Sequence, residues 1–440
     1  MTRALVIGSG MAGLGAARRL QERGVKPLVV EQQERIGGHT KSHTHDGFTF
    51  DEGPHISFSK NERMQGVLAA AVKDDYTPLQ TYVDNYYQGL WIKHPAQINL
   101  SRLPVEMRVK CIADFIEASQ LVNPKIEHYQ DWLECSFGKT FAHTFPMAYT
   151  QKYHTCRAID MTTDWLGPRL YRPKLEEVLT GAMTEQTADV HYIDNFRYPN
   201  RGGFAAYVEG LAEGLEVQCN REAVAVDPIG RKVKFSDGSV EAYDQLVSTA
   251  PLPKLIERID GAPQAVRDAV GKLACTKCVV ANFGLARTDI SRAHWSYFYD
   301  ADICFARLSF PHMFATDNAP PDHGSIQCEI YFSDKYKPLD VEPDELIPRA
   351  LADLKKCGLV REDDEIVYQG AQLLPWANII FDRDRPEAIA TVNAYLEEVN
   401  IHTAGRYGMW NYHWTDESYV SGEDAADAAL SAAGSPAATA

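Results

Sequence analysis

The chain has 440 residues, 45% of them apolar, and a formal net charge of −16. A chain of this length buries a sizeable core in two or three intertwined lobes, and its acidic balance excludes nucleic acid or an anionic membrane as the expected partner. No apolar run approaches the length that spans a bilayer and the first strand begins just after Met1-Thr2-Arg3, so a cytoplasmic protein is the expectation.

Residues 5–31 read as a strand, a glycine turn, a helix and a second strand. The turn is Gly8-Ser9-Gly10-Met11-Ala12-Gly13, and the second strand, Leu28-Val29-Val30, ends on Glu31. Each position has a task in holding a dinucleotide. Gly8 permits the tight turn, Gly10 lets backbone approach a pyrophosphate, Gly13 lets helix pack on strand, and the helix start at Met11 and Ala12 faces the phosphate charge. A glycine triplet alone is weak, but this one follows an apolar strand, opens an Ala-rich helix and meets its acid at the expected distance. Glu31 suits a ribose diol rather than a ribose phosphate, which disfavours NADP and leaves FAD and NAD.

Directly after Glu31, Gln32-Gln33-Glu34-Arg35-Ile36-Gly37-Gly38-His39-Thr40 adds a second glycine pair. This segment resembles the extended fingerprint of the flavoproteins that include amine oxidases, protoporphyrinogen oxidases, phytoene-type desaturases and UDP-galactopyranose mutases. The resemblance implies FAD, with Gln32, Gly37, Gly38 and His39 beside it.

From about residue 61 to 194 the periodicity turns helical, as at 105–121 and 129–141, which describes a helical lobe inserted into the cofactor fold. Strand-like segments return at 217–226, 232–235 and 245–249. The one close cysteine pair, Cys275 and Cys278, lacks the second ligand pair of a zinc site, so no metal is expected. Segments 278–285, 295–298, 305–310 and 326–332 alternate as an antiparallel sheet over a substrate site, and 401–430 closes the cofactor fold with a glycine-rich turn and a helix. The tail from Ser431 has the composition of a disordered segment. The expected class is α/β: a Rossmann-like FAD-binding domain (1–60, 195–285 and 385–440), a helical substrate lobe (61–194) and an antiparallel β-sheet substrate domain (286–384).

A series of further segments, in chain order, resembles UDP-galactopyranose mutase, above all its eukaryotic form. Phe50-Asp51-Glu52-Gly53-Pro54-His55-Ile56-Ser57-Phe58 is similar to the stretch that lays a glycine loop and a histidine beside the flavin ring, which implies cofactor contacts for Gly53, Pro54 and His55. In Trp91-Ile92-Lys93-His94-Pro95-Ala96-Gln97, Gln97 falls on a uracil-binding position, while His94 and Ala96 replace the flanking aromatics. The stretch from Phe145 through Thr150 to Arg169 implies a base-stacking ring at Phe145, Thr150 in the substrate set, a diphosphate contact at Arg169, and His154 where the family has a tryptophan.

Trp295-Ser296-Tyr297-Phe298 followed by Arg307 reproduces the spacing of a phosphate-binding tyrosine and a second arginine, with Phe314 where another tyrosine is expected. Trp376 takes the place of a further phosphate-binding tyrosine. Gly405-Arg406-Tyr407-Gly408-Met409-Trp410-Asn411-Tyr412, continuing to Asp416 and Ser418, resembles the closing FAD motif, with Arg406 on the cofactor pyrophosphate and Tyr412 on the substrate diphosphate; Val224 completes the implied cofactor set.

Forked guanidinium groups grip a diphosphate bidentately and phenols complete its oxygen shell without adding charge. Taken singly, an arginine pairs with a carboxylate and a tyrosine packs with its hydroxyl satisfied. The sequence holds no serine or cysteine nucleophile set, metal cage or Schiff-base lysine, so the chemistry falls to the flavin. In the mutases reduced flavin N5 attacks the anomeric carbon of a nucleotide sugar and expels the diphosphate, and the sugar recloses as a furanose. His55, Arg169 and Arg307 are then the implied catalytic residues, with NAD(P)H or another external reductant to keep FAD reduced and a homo-oligomer as one assembly. The competing reading is an FAD oxidoreductase of the amine oxidase, protoporphyrinogen oxidase or desaturase type, favoured by Ala96, Phe314 and Trp376. A mutase for another nucleotide sugar is the third.

Overall fold

A run such as Ala4-Leu5-Val6-Ile7, apolar on both faces, belongs inside a parallel sheet. The computed structural model, which describes residues 2–167, 170–185, 187 and 193–434, places it there. Strand beside strand, the sheet runs His402–Thr403, Gln245–Ser248, Ala4–Ile7, Pro27–Val30 and Glu216–Gln218, with every pair parallel. The helix Met11–Glu22 connects the first two strands in sequence and packs against the last helix, Thr415–Gly434.

These helices touch backbone to backbone: a Cβ on Gly422 would stand 1.9 Å from the Ala12 carbonyl oxygen. Both ends of the chain therefore build one nucleotide fold. The last helix continues to Gly434 through the stretch expected to be disordered from Ser431, because its alanines are strong helix formers.

The second layer is an eight-stranded sheet whose main path runs Ile366–Leu374, Ala274–Leu285, Gly324–Ser333, Arg307–Ser309, Trp295–Phe298, Val83–Tyr87 and Leu90–Lys93. Its pairs are antiparallel except Trp295–Phe298 with Val83–Tyr87. It reaches beyond 286–384 toward the N-terminus. The long, largely buried Ala274–Leu285 pairs with three strands, Gly324–Ser333, Ile366–Leu374 and Ile379–Ile380, and the 83–93 hairpin extends the sheet past Trp295–Phe298.

The helical lobe packs Val105–Ser119, Tyr129–Phe137, Lys139–Ala142, Ala148–Tyr153 and Leu175–Met183 around Leu133, Phe137, Phe141 and Phe145. The helix expected over 129–141 breaks at Gly138, whose φ of 77° lies in the region glycine favours. Among the described residues no helix is long and apolar enough to cross a membrane.

Candidate active site

Between the ends of the parallel strands, the first and last helices and one face of the large sheet lies a cavity of about 920 Å³. Its first wall is the glycine turn. Gly8, at φ +96°, donates its N–H to the Val30 carbonyl at 2.8 Å. Gly13 lies just behind the wall, where a Cβ would stand 1.9 Å from the Gly8 oxygen. Gly10 is the N-cap of Met11–Glu22 and offers no capping side chain, so the helix start at Met11 and Ala12 turns bare N–H groups to the cavity.

Glu31 is clamped at the rim: one carboxylate oxygen accepts from the Ser9 N–H at 3.0 Å and hydroxyl at 2.8 Å, the other from the Gln33 N–H at 3.0 Å. Gln32, Gly37, Gly38 and His39 continue the same wall.

The opposite wall comes from the C-terminal segment. Gly405 sits close to the glycine turn, where a Cβ would approach Ala12 Cβ to 2.8 Å, and Arg406, Thr415 and Ser418 follow along the cavity. Arg406 donates to the His413 carbonyl at 2.8 Å and lies 5.0 Å from the Tyr412 ring, making no ion pair among the described residues. A helix start and an unneutralised guanidinium facing one glycine-lined groove suit a pyrophosphate, and Glu31 suits a ribose diol. The residues present fit FAD. Val224, on Ala223–Asp227, lies beside the lining rather than in it and exposes its side chain, and Asp416 also stands outside the lining.

The His55 loop is tied down at its base. The Asp51 carboxylate accepts from the Ser42 hydroxyl at 2.6 Å, the Tyr198 hydroxyl at 2.7 Å and the Phe204 N–H at 3.1 Å, and burial pushes its pKa up to about 6. Glu52 meets His43 at 3.0 Å, Lys41 at 3.2 Å and His39 at 3.4 Å. Burial works to raise the Glu52 pKa, but the hydrogen bonds from His39 and His43 and the charge of Lys41 outweigh it and hold the carboxyl well below the usual range. His55 donates Nδ1–H to the Gly53 carbonyl at 2.8 Å, which leaves Nε2 as an acceptor. Burial, with Arg406 nearby, pushes the His55 pKa down to about 4, so the ring is neutral at ordinary pH.

The roof is a row of side chains across the large sheet. Tyr297 pairs with Arg307, Arg307 with Glu329, Glu329 with Val280, and Val280 with Gln372, and directly opposed residues share a face. Arg307 donates through Nε and Nη2 to Glu329, the second bond at 2.9 Å, and the Tyr331 hydroxyl donates to the same carboxylate at 2.9 Å. The Tyr297 oxygen accepts from Trp295 Nε1 at 3.1 Å, leaving its own O–H as a donor.

Past this row a second cavity of about 190 Å³ opens, and Tyr153, Tyr297, Arg307 and Tyr412 line both spaces. Its walls are mostly rings, among them Phe141, Phe145, Tyr149 and Trp165. Gln97 lines it while donating Nε2–H to the Tyr171 carbonyl at 3.0 Å, and Thr150 lines it with its hydroxyl bonded to the Pro146 carbonyl at 2.7 Å. His154 is buried against Tyr153 and Trp165, and burial pushes its pKa down to about 3.

The expected substrate residues Gln97, Phe145, Thr150, His154, Tyr297 and Tyr412 thus gather around the smaller space, and Trp376 lines the larger one. Phe314 is a correction: it lines neither. The turn Pro311–Met313 carries it off the sheet into an apolar cluster, 5.3 Å from Tyr198 and 5.7 Å from Phe196 between ring centres, where a ring without a hydroxyl is at home. Arg169 lies outside the described residues.

Among the wall residues to which the sequence assigned no role are Glu329, Tyr153 and Glu52. For Glu329 a signal existed. In Ile326-Gln327-Cys328-Glu329-Ile330-Tyr331, an acid between apolar neighbours on a strand must face a partner or a site.

Comparison with known proteins agrees with this geometry. Residues 11–430 match the family model described as flavin-containing amine oxidoreductase. A crystal structure of reduced UDP-galactopyranose mutase superposes with a TM-score of 0.92 at 26% identity, covering 99% of this chain and 97% of that one. A protein described as a protoporphyrinogen oxidase, from Exiguobacterium sp. 255-15, shares the fold with a TM-score of 0.75 at 15% identity, covering 97% of this chain and 98% of that one. Among curated proteins, the 4,4'-diapophytoene desaturase (4,4'-diaponeurosporene-forming) of Staphylococcus aureus (strain Newman) is 23% identical over 295 residues, which is 59% of this chain and 57% of the desaturase. A family match across nearly the whole sequence, on a cavity whose walls fit FAD, makes this chain a flavin-dependent enzyme that belongs to the flavin-containing amine oxidoreductase family.

Proposed function

We propose that the protein is a nucleotide-sugar pyranose/furanose mutase of the UDP-galactopyranose mutase kind, working on reduced FAD. The observation that carries the reading is the junction of the two cavities, where one forked cation, Arg307, meets two phenols, Tyr297 and Tyr412, between the flavin cradle and a ring-lined pocket. That is the donor set a sugar diphosphate needs, and the whole-chain superposition on the mutase supports it. Reduced FAD, when bound, supplies a nucleophilic nitrogen for the anomeric carbon.

The chain's own residues do the rest. Arg307, Tyr297 and Tyr412 hold the diphosphate and stabilise its charge as the sugar leaves, with Arg169 as the second cation. Phe145 stacks on the base, with Gln97 at its edge, and His154 and Thr150 shape the space beside it. His55, neutral, offers an acceptor to the flavin rather than a charge. Arg406 and the helix start at Met11 keep the cofactor pyrophosphate in place.

A second reading, a flavin oxidoreductase acting on an apolar substrate, is favoured by two observations: Glu329 already occupies one edge of Arg307, and a curated relative is a desaturase. The deciding experiment incubates the purified protein, with and without dithionite, with UDP-galactofuranose and other nucleotide sugars and separates the products. An isomer formed only under reducing conditions is the expected result. No isomer, with oxygen-dependent turnover of an amine, porphyrinogen or polyene instead, overturns it.

A further inference from the structure

We propose that Glu329 sets the orientation of Arg307 and offsets its charge, and through both sets the site's grip on a diphosphate; the proposal rests on the nucleotide-sugar reading. The two residues are directly opposed on the strands Arg307–Ser309 and Gly324–Ser333. Glu329 takes the side edge of the guanidinium, receiving Nε–H and one Nη2–H. A guanidinium carries five N–H donors in one plane. The two N–H groups of Nη1 and the second of Nη2 make no hydrogen bond among the described residues; one from each nitrogen forms the end edge, and Arg307 borders both cavities.

The brace is itself braced. Tyr331 donates to the same Glu329 oxygen at 2.9 Å, and the Ala306 N–H donates to the Glu329 backbone carbonyl at 2.9 Å. With its side chain only 4% exposed, Glu329 is poorly screened and cancels the charge of Arg307 where the cavities meet.

Orientation and neutralisation have opposite effects on a ligand. A fixed plane presents two parallel donors to an oxyanion, whereas a cancelled charge loosens the hold on a resting diphosphate. A diphosphate gains negative charge as it departs from a sugar. Donors whose direction is fixed in advance meet that charge without reorganising and so favour the departing group over the bound substrate, which is where binding accelerates a reaction, while the cancelled charge keeps the resting hold loose.

The test uses the FAD-loaded protein with UDP as the probe, comparing wild type, Glu329→Gln, Tyr331→Phe and Arg307→Ala by titration calorimetry and by the midpoint potential of the bound flavin. Glu329→Gln keeps the size, removes the charge and sets an amide NH2 against one of the donors that the carboxylate accepted, so the guanidinium also loses part of its brace. UDP is expected to bind it on the order of tenfold tighter, the scale of one close charge interaction. Its kcat falls, and its midpoint potential shifts upward because an anion has gone from the wall of the flavin cavity. Tyr331→Phe, with the charge intact, leaves UDP affinity within about twofold, and Arg307→Ala loses UDP. Equal or weaker UDP binding by Glu329→Gln, at an unchanged potential, overturns the proposal.

If Glu329→Gln does not fold, Glu329→Asp serves. It keeps the charge on a shorter arm, so the potential is expected to hold while kcat falls without a rise in KM; a shifted potential counts against the assignment. Failure of wild type to bind UDP is a different result. It removes the nucleotide-sugar reading, and an unchanged potential in Glu329→Gln then removes this one as well.

Discussion

The two cavities meet at Arg307 but are made of different material. The larger, beneath its roof of side chains, has close-approaching glycine backbone along its cradle: the glycine turn, the pair Gly37 and Gly38, Gly53 and Gly405. The smaller is walled by rings, with Phe137, Phe141, Phe145, Tyr149 and Trp165 around it. Backbone walls are specific to one ligand shape and tolerate almost no added atoms. Ring walls tolerate volume-conserving exchange and can be reshaped for a new ligand at small cost in stability. On the proposed function, cofactor and substrate are thus held by separable devices.

The sharpest way to break that separation is to add one methyl group to the cradle. In Gly13→Ala the new Cβ would meet the Gly8 oxygen at 1.9 Å, and both partners are main chain, so neither yields cheaply. Loss of copurifying FAD, read from the flavin-to-protein absorbance ratio, is expected together with about 2–4 kcal/mol of stability. Arg307→Ala attacks the other device. Turnover is expected to fall by about a hundredfold or more, the scale of one lost donor to a developing oxyanion, while FAD absorbance persists. Flavin loss from Arg307→Ala would mean that the two devices are one.

The same contrast decides what could be read in the sequence. The cradle was legible because it is local: Gly8, Gly10, Gly13 and Glu31 fall within one βαβ unit, and each glycine marks a place where a Cβ has no room. The closing segment 405–418 was legible for the same reason. The ring-lined pocket gathers Gln97, Phe145, Thr150, His154 and Tyr297 from separate segments, and only their likeness to mutase segments brought them together.

Two kinds of information escaped. Glu329 could not be assigned to Arg307 without knowing that their strands are neighbours and in which register. Phe314 stands at a plausible spacing after Arg307, but the turn at Pro311–Met313 sends it into the core. Domain limits blurred because the large sheet recruits 83–93 and Ala274–Leu285 from outside 286–384, a long-range pairing that periodicity does not encode.

Acid sharpens the comparison from the cradle side. His55 has its pKa pushed down to about 4 by burial, against about 6.5 for an unfolded histidine. Between those values the unfolded chain binds a proton that the folded one refuses. Stability from this group is therefore complete above about pH 6.5 and is lost as pH falls toward 4, by up to about 3 kcal/mol. Asp51, raised to about 6 by burial, acts in the opposite sense across part of the same range, its contribution being present at low pH and lost as pH rises through 6. Wild type and His55→Gln apoprotein share Asp51, so the difference in their melting curves isolates His55. The gap between them is expected to change across that window and to be flat above it, and parallel curves would refute the neutral assignment.

The smallest effect on ligand binding tests whether position in the sequence or position in the fold defines the site. Phe314→Tyr restores the hydroxyl that mutase-like spacing calls for. In the fold that hydroxyl would enter an apolar cluster with Phe196, Tyr198 and His294, where Phe314 is 3% exposed. A buried hydroxyl without a partner costs about 1–3 kcal/mol. The variant is therefore expected to melt earlier, with UDP affinity and turnover within about twofold of wild type, since a residue outside the site changes binding little. Trp376→Tyr makes the complementary change at the wall of the larger cavity, and there affinity is expected to move more than stability. A Phe314→Tyr protein with unaltered melting and tighter UDP binding would return that ring to the site and dissolve the boundary between core and pocket.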